Sequence, residues 1–372
     1  MKWSTLAAAV LASPAAFATP LLESRTPGSF KVGVKHVLGE QRKLNSRSTG
    51  QDGVTFNGYW LADVSAGGQD ATVLLDTGSA DLWLLSPQVS SDQTAGQKLY
   101  DPTQSSTASQ LQGYTFDIGY GEGGNGVSGD VWTDTFSVGT ATVQSMPIGV
   151  ANTLSGVSPG TFQSGIMGLA FQGGNSVKPN QQPTFMEALQ PQLDQPVFVA
   201  NFKIGGGGFI EFGTVDSSLY TGDLATLQAD NTTTYPASWS SEGVQYVSNG
   251  NTLGTFDIVF DTGGPGSSGP IDAVRAYYAQ ISGAKDVNGD GSSWTVPCGQ
   301  QLPDLEFHFS GGAVGTIPGA NMYNGDNGDG TCPTWFVKEN SATRGLVGDA
   351  FFNSNVVIFN QATATIQWAP QA

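Results

Sequence analysis

Apolar residues along most of the chain stand in short runs or alternate with polar ones. Every second residue of 114–120 is aromatic or branched, and this period of two is typical of a half-buried β-strand. Glycine supplies 51 of the 372 residues and favours tight turns between such segments. Helical spacing is found in two short segments, 184–189 and 270–281. The pattern therefore predicts an all-β protein with few short helices.

One pattern ends two different strands. The apolar run 73–75 leads into Asp76-Thr77-Gly78-Ser79, and the alternating segment 256–260 leads into Asp261-Thr262-Gly263-Gly264. A lone Asp-Thr-Gly is an ordinary turn with a capping aspartate and a glycine in a special backbone conformation. Two copies, each after an apolar strand, indicate a duplicated unit instead.

A further pair of segments supports the duplication. Gly-Ile-Met-Gly-Leu-Ala-Phe at 165–171 follows the first copy, and Gly-Leu-Val-Gly-Asp-Ala-Phe at 345–351 follows the second at nearly the same distance. The same order and spacing predict two related lobes, which we place at 53–218 and 219–372.

Asp76 and Asp261 are the candidate catalytic residues, because related lobes can bring them together where the lobes meet. Two close carboxyl groups cannot both ionise, so one pKa rises, the other falls, and the pair titrates as a unit. Sharing one proton, such a pair can take a proton from a water molecule and protonate a carbonyl oxygen and then a leaving amine. On sequence grounds either aspartate can hold the shared proton.

These segments resemble the pepsin-like aspartic proteases, especially their secreted fungal members. The resemblance is carried by 76–83, 165–171, 261–263 and 345–352, and it extends from about Tyr59 to Trp368. It implies a bilobal double β-barrel with pseudo-twofold symmetry. It also implies a monomeric endopeptidase that cleaves extended peptides at acid pH, prefers hydrophobic residues around the cut bond, and needs no cofactor and no metal.

The resemblance assigns supporting roles beside the two aspartates. Thr77 and Thr262 would cross-link the two loops through hydrogen bonds from hydroxyl groups to the backbone. Gly78 and Gly263 would let backbone N–H groups approach the carboxylates.

The last residue of each loop differs between the copies. Ser79 matches the family hydroxyl that bonds the outer oxygen of the first aspartate. Gly264 departs from the family pattern, because a serine or threonine is usual there. We expect Asp261 to lose one hydrogen bond, or to gain one from water, and the acid limb of the pH profile to change.

The glycine-rich tip of a predicted hairpin follows the alternating strand 114–120. Tyr120-Gly121-Glu122-Gly123 resembles the flap that closes over substrate in this family, with Tyr120 bonded toward Trp83 beside the first specificity pocket. Glu122 has two interpretations, acceptance of lysine before the cut bond or a solvated surface charge. An ordinary surface hairpin is the alternative interpretation of the whole segment.

The N-terminus has the features of a processed leader. Residues 1–18 begin with a lysine, continue through a short apolar stretch and end in Ala16-Phe17-Ala18, which is typical of a secretory signal peptide. We therefore predict secretion, with sorting to a vacuole less favoured. Maturation is expected near 48–54.

Residues 19–52 differ in charge from everything after them. Between residues 19 and 50 there are six basic and two acidic side chains, whereas the rest of the chain after residue 50 holds seven basic and 29 acidic ones. The contrast predicts a basic pro-segment that is held by charge and loosened by acid. A solvated basic linker is the alternative.

Charge and rare residues exclude several function classes. The net charge of −17 argues against a nucleic acid partner. Two histidines, His36 and His308, are too few for a histidine metal site or a Ser-His triad in the body. No later stretch is apolar enough for a membrane span.

Three smaller signals complete the sequence reading. Cys298 and Cys332 are predicted to pair, because a secreted chain is in an oxidising compartment. Asn231 is a weak glycosylation signal. Residues 286–291 resemble the start of a calcium loop, but Pro297 stands where the loop needs a glutamate, so an acidic turn is favoured.

Two rival functions remain open at this stage. A catalytically silent relative that acts as an inhibitor or binding module has Gly264 as its support. A secreted acid glycosidase would also use paired carboxylates. It leaves the twofold repeat and the flap without explanation.

Overall fold

The computed structural model describes residues 28–37, 59–120, 125–203, 207–230, 237–264 and 266–372. Within these ranges the chain is built mainly from strands, as the sequence predicts. The strands of the first half are β1 (Phe30–Val37), β2 (Tyr59–Ala66), β3 (Gln69–Asp76), β4 (Leu82–Leu85), β5 (Ser109–Tyr120), β6 (Asn125–Val138), β7 (Ala141–Ser155), β8 (Gly165–Gly168), β9 (Val197–Asn201) and β10 (Gly208–Phe212).

The second half continues in the same style. Its strands are β11 (Ala225–Gln228), β12 (Ser240–Ser248), β13 (Asn251–Phe260), β14 (Ser267–Gly269), β15 (Lys285–Asp286), β16 (Trp294–Pro297), β17 (Leu305–His308), β18 (Val314–Ile317), β19 (Thr331–Pro333), β20 (Phe336–Lys338), β21 (Arg344–Val347), β22 (Asn355–Asn360) and β23 (Thr365–Pro370). The α-helices of the described chain are α1 (Ser91–Thr94), α2 (Phe185–Leu189), α3 (Ile271–Tyr278) and α4 (Asp349–Phe352). Short 3₁₀ turns lie at Pro102–Gln104, Gln172–Gly174, Gln190–Gln192, Ser217–Leu219 and Gly319–Met322.

The strands form three sheets. The largest has the order β11-β23-β22-β9-β10-β1-β2-β3-β8-β4-β7-β6-β5, the second has the order β18-β17-β12-β13-β21-β14-β20, and a small third sheet has the order β15-β16-β19. The first half of the chain supplies most of the large sheet, and the second half supplies the other two. Strands β11, β22 and β23 cross from the second half to the large sheet and so join the halves.

The repeated motifs occupy equivalent places in the two halves. Strand β3 pairs in parallel with β8, so that Asp76 lies opposite Gly168. Strand β13 pairs in parallel with β21, so that Phe260, the residue before Asp261, lies opposite Val347. Each Asp-Thr-Gly loop therefore leaves a strand whose neighbour is the matching Gly-x-x-Gly segment. The all-β, bilobal pepsin-like fold is confirmed, while the residue at which the lobes divide stays a prediction.

Local sequence explains the boundaries of several elements. Gly67 and Gly68 both have positive φ, at 55° and 78°, as a two-residue hairpin turn between β2 and β3 requires. The hydroxyl of Thr184 caps α2, and Glu187 bonds back to the cap residue, which completes a capping box. The predicted helices 184–189 and 270–281 are confirmed as α2 and α3, with α3 ending three residues earlier.

Large side chains from both halves share one hydrophobic core. Trp239 is fully buried, and its ring packs against Phe171, Phe198 and Phe359 at centroid distances of 4.3, 6.0 and 5.0 Å. Its indole N–H donates to the carbonyl oxygen of Leu169 at 3.0 Å. Because Trp239 belongs to the second half and Leu169 to the first, this packing holds the two halves together.

Strand β1 lies inside the segment predicted to be a pro-segment. It pairs antiparallel with β10, with Phe30 opposite Phe212, and with β2, with His36 opposite Trp60. Val32 and Val34 are buried at 4% exposure. These eight residues are therefore an integral strand of the large sheet and not a solvated linker. Of the helices in the described ranges, none has the length and apolar character that a membrane crossing requires.

The predicted disulfide is confirmed. Cys298 follows β16 and Cys332 lies in β19, and their sulfur atoms are bonded across 34 residues of chain. The bond closes the end of the small β15-β16-β19 sheet, where Val296 lies opposite Cys332.

Replacing both cysteines by serine is expected to lower the free energy of unfolding by about 3 to 4 kcal/mol, because a loop of this length gains much entropy in the unfolded chain. Urea denaturation of the full chain at pH 7 measures this. Wild-type protein in reductant serves as the matched control and should lose a similar amount. Equal stability of all three samples would contradict the expectation.

Candidate active site

The two Asp-Thr-Gly loops meet face to face. The carboxyl groups of Asp76 and Asp261 lie close together, because a Cβ built on Gly263 would be 2.7 Å from Oδ1 of Asp76 and 3.1 Å from Oδ1 of Asp261. Asp76 is 6% exposed, while Asp261 is partly accessible. The sequence analysis expected these two residues to come together, and the structure places them beside each other.

Threonine side chains lock the loops to one another. The backbone N–H of Thr77 donates to Oγ1 of Thr262 at 3.0 Å, and the N–H of Thr262 donates to Oγ1 of Thr77 at 2.9 Å. The two hydroxyls then donate across the interface, from Thr77 to the carbonyl oxygen of Phe260 at 2.8 Å and from Thr262 to that of Leu75 at 2.7 Å. Both side chains are buried. Four reciprocal bonds therefore fix the spacing of the two aspartates.

Glycine is required beside each aspartate because of space. A Cβ on Gly78 would lie 2.7 Å from Cγ of Asp261, and a Cβ on Gly263 would lie 2.7 Å from Oδ1 of Asp76. The N–H of Gly78 donates to Oδ1 of Asp76 at 2.8 Å, and the N–H of Gly263 donates to Oδ1 of Asp261 at 2.8 Å. Each glycine thus contacts one carboxyl group and hydrogen-bonds the other.

The electrostatics of the pair are unequal. Burial, followed by the charge of Asp76, raises the pKa of Asp261 well above its usual value. Glu339 acts in the same direction, and the N–H of Gly263 opposes it. Ser79 donates its hydroxyl to Oδ2 of Asp76. Gly264 offers Asp261 no such hydroxyl.

An aromatic group stands beside the pair. The indole N–H of Trp83 donates to the hydroxyl of Tyr120 at 2.6 Å, as the sequence analysis expected. The ring of Phe162 lies 4.7 Å from Tyr120 and 5.6 Å from Trp83. Burial, followed by the charge of Asp76, raises the pKa of Tyr120 well above 10, so the phenol stays neutral. The three rings form an apolar wall next to Asp76.

Strands β5 and β6 form the predicted hairpin, with Tyr120 opposite Asn125. Gly121, Glu122 and Gly123 lie outside the described residues. The same holds for Asn231, for the predicted signal peptide and for most of the predicted pro-segment.

Sequence reasoning missed four residues near the pair. Phe162 gave no signal, since nothing in the chain order places it near the flap. Asp81 is buried, bonded to Asn175 and Ser176, and burial raises its pKa to about 6. The other two missed residues are Asp349 and Tyr59.

Asp349 and Tyr59 lie behind the second loop. Asp349 is 1% exposed, its backbone N–H donates to the carbonyl oxygen of Gly264 at 3.0 Å, and burial followed by Asp261 raises its pKa well above 3.8. Burial, Asp349 and Asp261 raise the pKa of Tyr59 to about 12. The aspartate in the repeated segment 345–351 was the available signal, because its counterpart at residue 169 is a leucine.

The threonine cross-link makes a stability prediction. Thr262→Val is expected to lower the free energy of unfolding by about 2–6 kcal/mol, because two buried backbone groups lose their partners at about 1–3 kcal/mol each. Urea denaturation of the full chain at pH 7 measures it. Thr226→Val, at an exposed strand position with one surface hydrogen bond, is the matched control and should stay within about 0.5 kcal/mol of wild type. Equal stability of the Thr262→Val variant and wild type would show that the cross-link does not stabilise the chain.

Known proteins resemble the chain over nearly its whole described length. Residues 60–371 match the family described as eukaryotic aspartyl protease. Penicillopepsin-1 of Penicillium janthinellum is 33% identical over 315 residues, which cover 84% of this chain and 95% of that protein. A probable aspartic-type endopeptidase of Arthroderma benhamiae is 33% identical over 361 residues, covering 93% and 81%. Aspergillopepsin-1 of Aspergillus fumigatus is 32% identical over 322 residues, covering 85% and 80%.

These similarities confirm the resemblance that the motifs indicated. The match spans both halves of the chain, including both Asp-Thr-Gly loops. It leaves the acid glycosidase without support. The chain therefore belongs to the eukaryotic aspartyl protease family and is a pepsin-like aspartic endopeptidase.

Proposed function

We propose that Asp76 and Asp261 form the catalytic pair of this endopeptidase and that the chain is made as a secreted zymogen. The observation that carries the first part is the close approach of the two carboxyl groups, which reciprocal threonine bonds from opposite halves hold in place. Within the described ranges, no other pair of acids lies on two equivalent loops that the duplication supplies and that hydrogen bonds cross-link.

The geometry supports acid–base hydrolysis by the pair. With one shared proton, the ionised carboxylate takes a proton from water while the water oxygen bonds to the peptide carbon. The protonated carboxyl group gives its proton to the carbonyl oxygen. The carbon–nitrogen bond of the resulting diol then breaks, as one carboxyl group gives its proton to the leaving amine and the other takes the proton of a diol hydroxyl, so that a carboxylic acid forms and the pair again holds one proton. Tyr120 and Trp83 stand beside Asp76, where closure of the hairpin would exclude water.

The substrate proposed is an extended peptide with apolar side chains at the cut bond. Trp83, Tyr120 and Phe162 present aromatic rings beside Asp76, and such a wall favours an apolar group by burying its surface. Acceptance of lysine through Glu122 stays a hypothesis on a residue outside the described ranges.

The zymogen proposal is supported by the contacts of β1. Nζ of Lys31 lies 3.5 Å from a carboxylate oxygen of Glu211, and Nζ of Lys35 lies 2.7 Å from one of Asp63. The ring of His36 packs 4.7 Å from that of Trp60. Basic residues of the leader thus face acids of the body, as a charge-held pro-segment requires.

The titratable groups along β1 respond differently to acid. The hydrogen bond from Lys35 lowers the pKa of Asp63 below 3.8, so that contact weakens only in strong acid. Burial raises the pKa of Glu211. Because the docked state therefore favours protonated Glu211, acidification does not promote release of β1 through this residue. Burial lowers the pKa of His36 below 6.5, and its buried Nε2 has no hydrogen-bond partner. Docking therefore disfavours protonation of His36, and its contribution is lost as the pH falls below about 6.5.

Asp76→Asn and Asp261→Asn are each expected to reduce kcat/KM on denatured haemoglobin at least about 10³-fold, because the acid–base pair is broken. Asp92→Asn, at an exposed position in α1, is the matched control and should retain wild-type kcat/KM. A statine-type inhibitor should block the wild type. In wild type, activity should disappear above neutrality, because both carboxyl groups of the pair then ionise. Full activity at pH 8, or of either catalytic variant, would refute the proposed pair.

His36→Phe is expected to make the leader strand less sensitive to mild acid, because the ring packing stays while the titration is removed. Hydrogen exchange of the β1 amides, corrected for intrinsic rates, measures protection at pH 7 and pH 5 in an Asp76→Asn background that prevents self-cleavage. Protection should fall on acidification in the parent and less in the His36→Phe variant. His308→Phe replaces the other histidine of the chain and should behave like the parent. An identical loss in the parent and in His36→Phe would remove His36 from the release step.

A further inference from the structure

The sheet that carries Asp261 has one face in the core and one face beside the catalytic pair. The core face of its strands carries fully buried side chains, which are Ile258, Phe260, Val347 and Phe336. Side chains along a strand alternate between the two faces. Val259 therefore leaves β13 on the face opposite the core, and Asp261, two residues further on, continues that face. We call it the cleft face.

The strand register places three further residues on the cleft face. Val259 lies opposite Leu346 of β21 in a parallel pair. Leu346 lies opposite Ser268 of β14, and Ser268 lies opposite Val337 of β20. Residues that are in register share a face. Because Leu346 and Val337 are only half-buried, the cleft face has an apolar floor that is accessible from one side.

A carboxyl group stands at the edge of this floor. Glu339 comes two residues after Val337 and is half-buried. The hydroxyl of Ser268 donates to Oε2 of Glu339 at 2.7 Å, and the backbone N–H of Asn340 donates to Oε1 at 3.1 Å. The ion pairs between described residues do not include Glu339. The carboxyl group is thus held in place on the cleft face while its charge has no partner there.

The charge of Glu339 reaches the catalytic pair. Burial and Asp76 raise the pKa of Asp261 most, and Glu339 acts in the same direction. Neighbouring strands lie about 4.8 Å apart, so Ser268, two strands away from β13, is about 10 Å to the side of Val259. A peptide lying over Asp261 therefore reaches Glu339 only with a long side chain.

The other acid of the cleft face is less suited to bind substrate. Asp257 lies four residues before Asp261, which is about 13 Å along the strand. It is opposite Arg344 in the register, and it accepts a hydrogen bond from the N–H of Gly243 at 3.0 Å. A basic residue of the chain itself therefore already stands beside Asp257.

We propose that Glu339 is a specificity-determining residue that binds a lysine or arginine side chain of the substrate. The carboxylate takes the ammonium or guanidinium group, while Leu346 and Val337 pack against the apolar stem of that side chain. The inference rests on the proposed function of Asp76 and Asp261 as the catalytic pair, and it adds a substrate class to that function.

The alternation of side chains along an extended peptide gives the position of the basic residue. The aromatic wall of Trp83, Tyr120 and Phe162 stands on the first-half side of the pair, whereas Glu339 lies on the second-half side. Successive residues of an extended chain point to opposite sides. The basic residue is therefore a direct neighbour, in the substrate sequence, of the residue that packs on the aromatic wall.

The test measures kcat/KM at pH 5 on a host peptide with apolar residues around the cut bond. The host carries lysine, norleucine or glutamate at one position at a time, from two residues before the cut to two residues after it. Norleucine keeps the apolar stem and lacks the charge. At one of these positions the wild type should prefer lysine to norleucine about five- to tenfold, the value of a partly exposed charge-assisted hydrogen bond.

Three variants assign that preference. Glu339→Gln should abolish the preference and keep kcat/KM on the norleucine peptide within about twofold of wild type. Glu339→Lys should reverse it, so that the glutamate peptide is cleaved faster than the lysine peptide. Glu306→Gln removes the same charge from β17, on the other side of β13 in the same sheet, and should retain the wild-type preference.

Three results would overturn the inference while leaving the catalytic pair intact. The first is equal cleavage of the lysine and norleucine peptides by wild type at every position. The second is an unchanged preference in folded Glu339→Gln. The third is an equal fall on both peptides in Glu339→Gln, which would make the residue a structural or general electrostatic one. Failure of the proposed function is distinct, since the norleucine peptide would then be cleaved at the wild-type rate by Asp76→Asn.

Discussion

The close approach of two carboxyl groups is the constraint on which the rest of the structure depends. Two like charges at this distance repel, and burial adds a further cost of ionisation. A single proton that the pair retains leaves only one charge, which removes the repulsion and lowers the cost of ionisation. The arrangement persists because Thr77 and Thr262 bond each other's backbone, so neither loop can withdraw without leaving buried polar groups unpaired. The halves are further held by shared packing around Trp239.

The duplicated loops bring the two aspartates together, but the surroundings of the two carboxyl groups differ. Each half supplies a strand, an Asp-Thr-Gly loop and a parallel neighbour in the same order. The residues around each aspartate differ. The hydroxyl of Ser79 lies beside Asp76, whereas the buried carboxyl group of Asp349 lies behind Asp261. A symmetric backbone thus holds an asymmetric charge distribution, which is what an acid–base pair with one proton uses.

Strand β1 joins the predicted pro-segment to the large sheet. It lies next to β2, and its His36 packs on Trp60, the residue after Tyr59. The Trp60 ring is also stacked on Phe202 at 4.6 Å. A segment that charge alone marked as separate from the body is therefore continuous with the sheet that carries the catalytic loops. Its basic residues lie on exposed positions of that strand, where they reach acids of the body.

The sequence by itself determined the all-β class, the duplicated loops, the two helices and the disulfide, because each is encoded in a local pattern or a residue count. It also indicated which two aspartates would meet. Only the tertiary structure decided that Phe162 joins Tyr120, that Asp349 stands behind Asp261, and that β1 completes the sheet. These contacts join residues far apart in the chain, and their burial and charge arise only when the strands pack, so no local pattern records them.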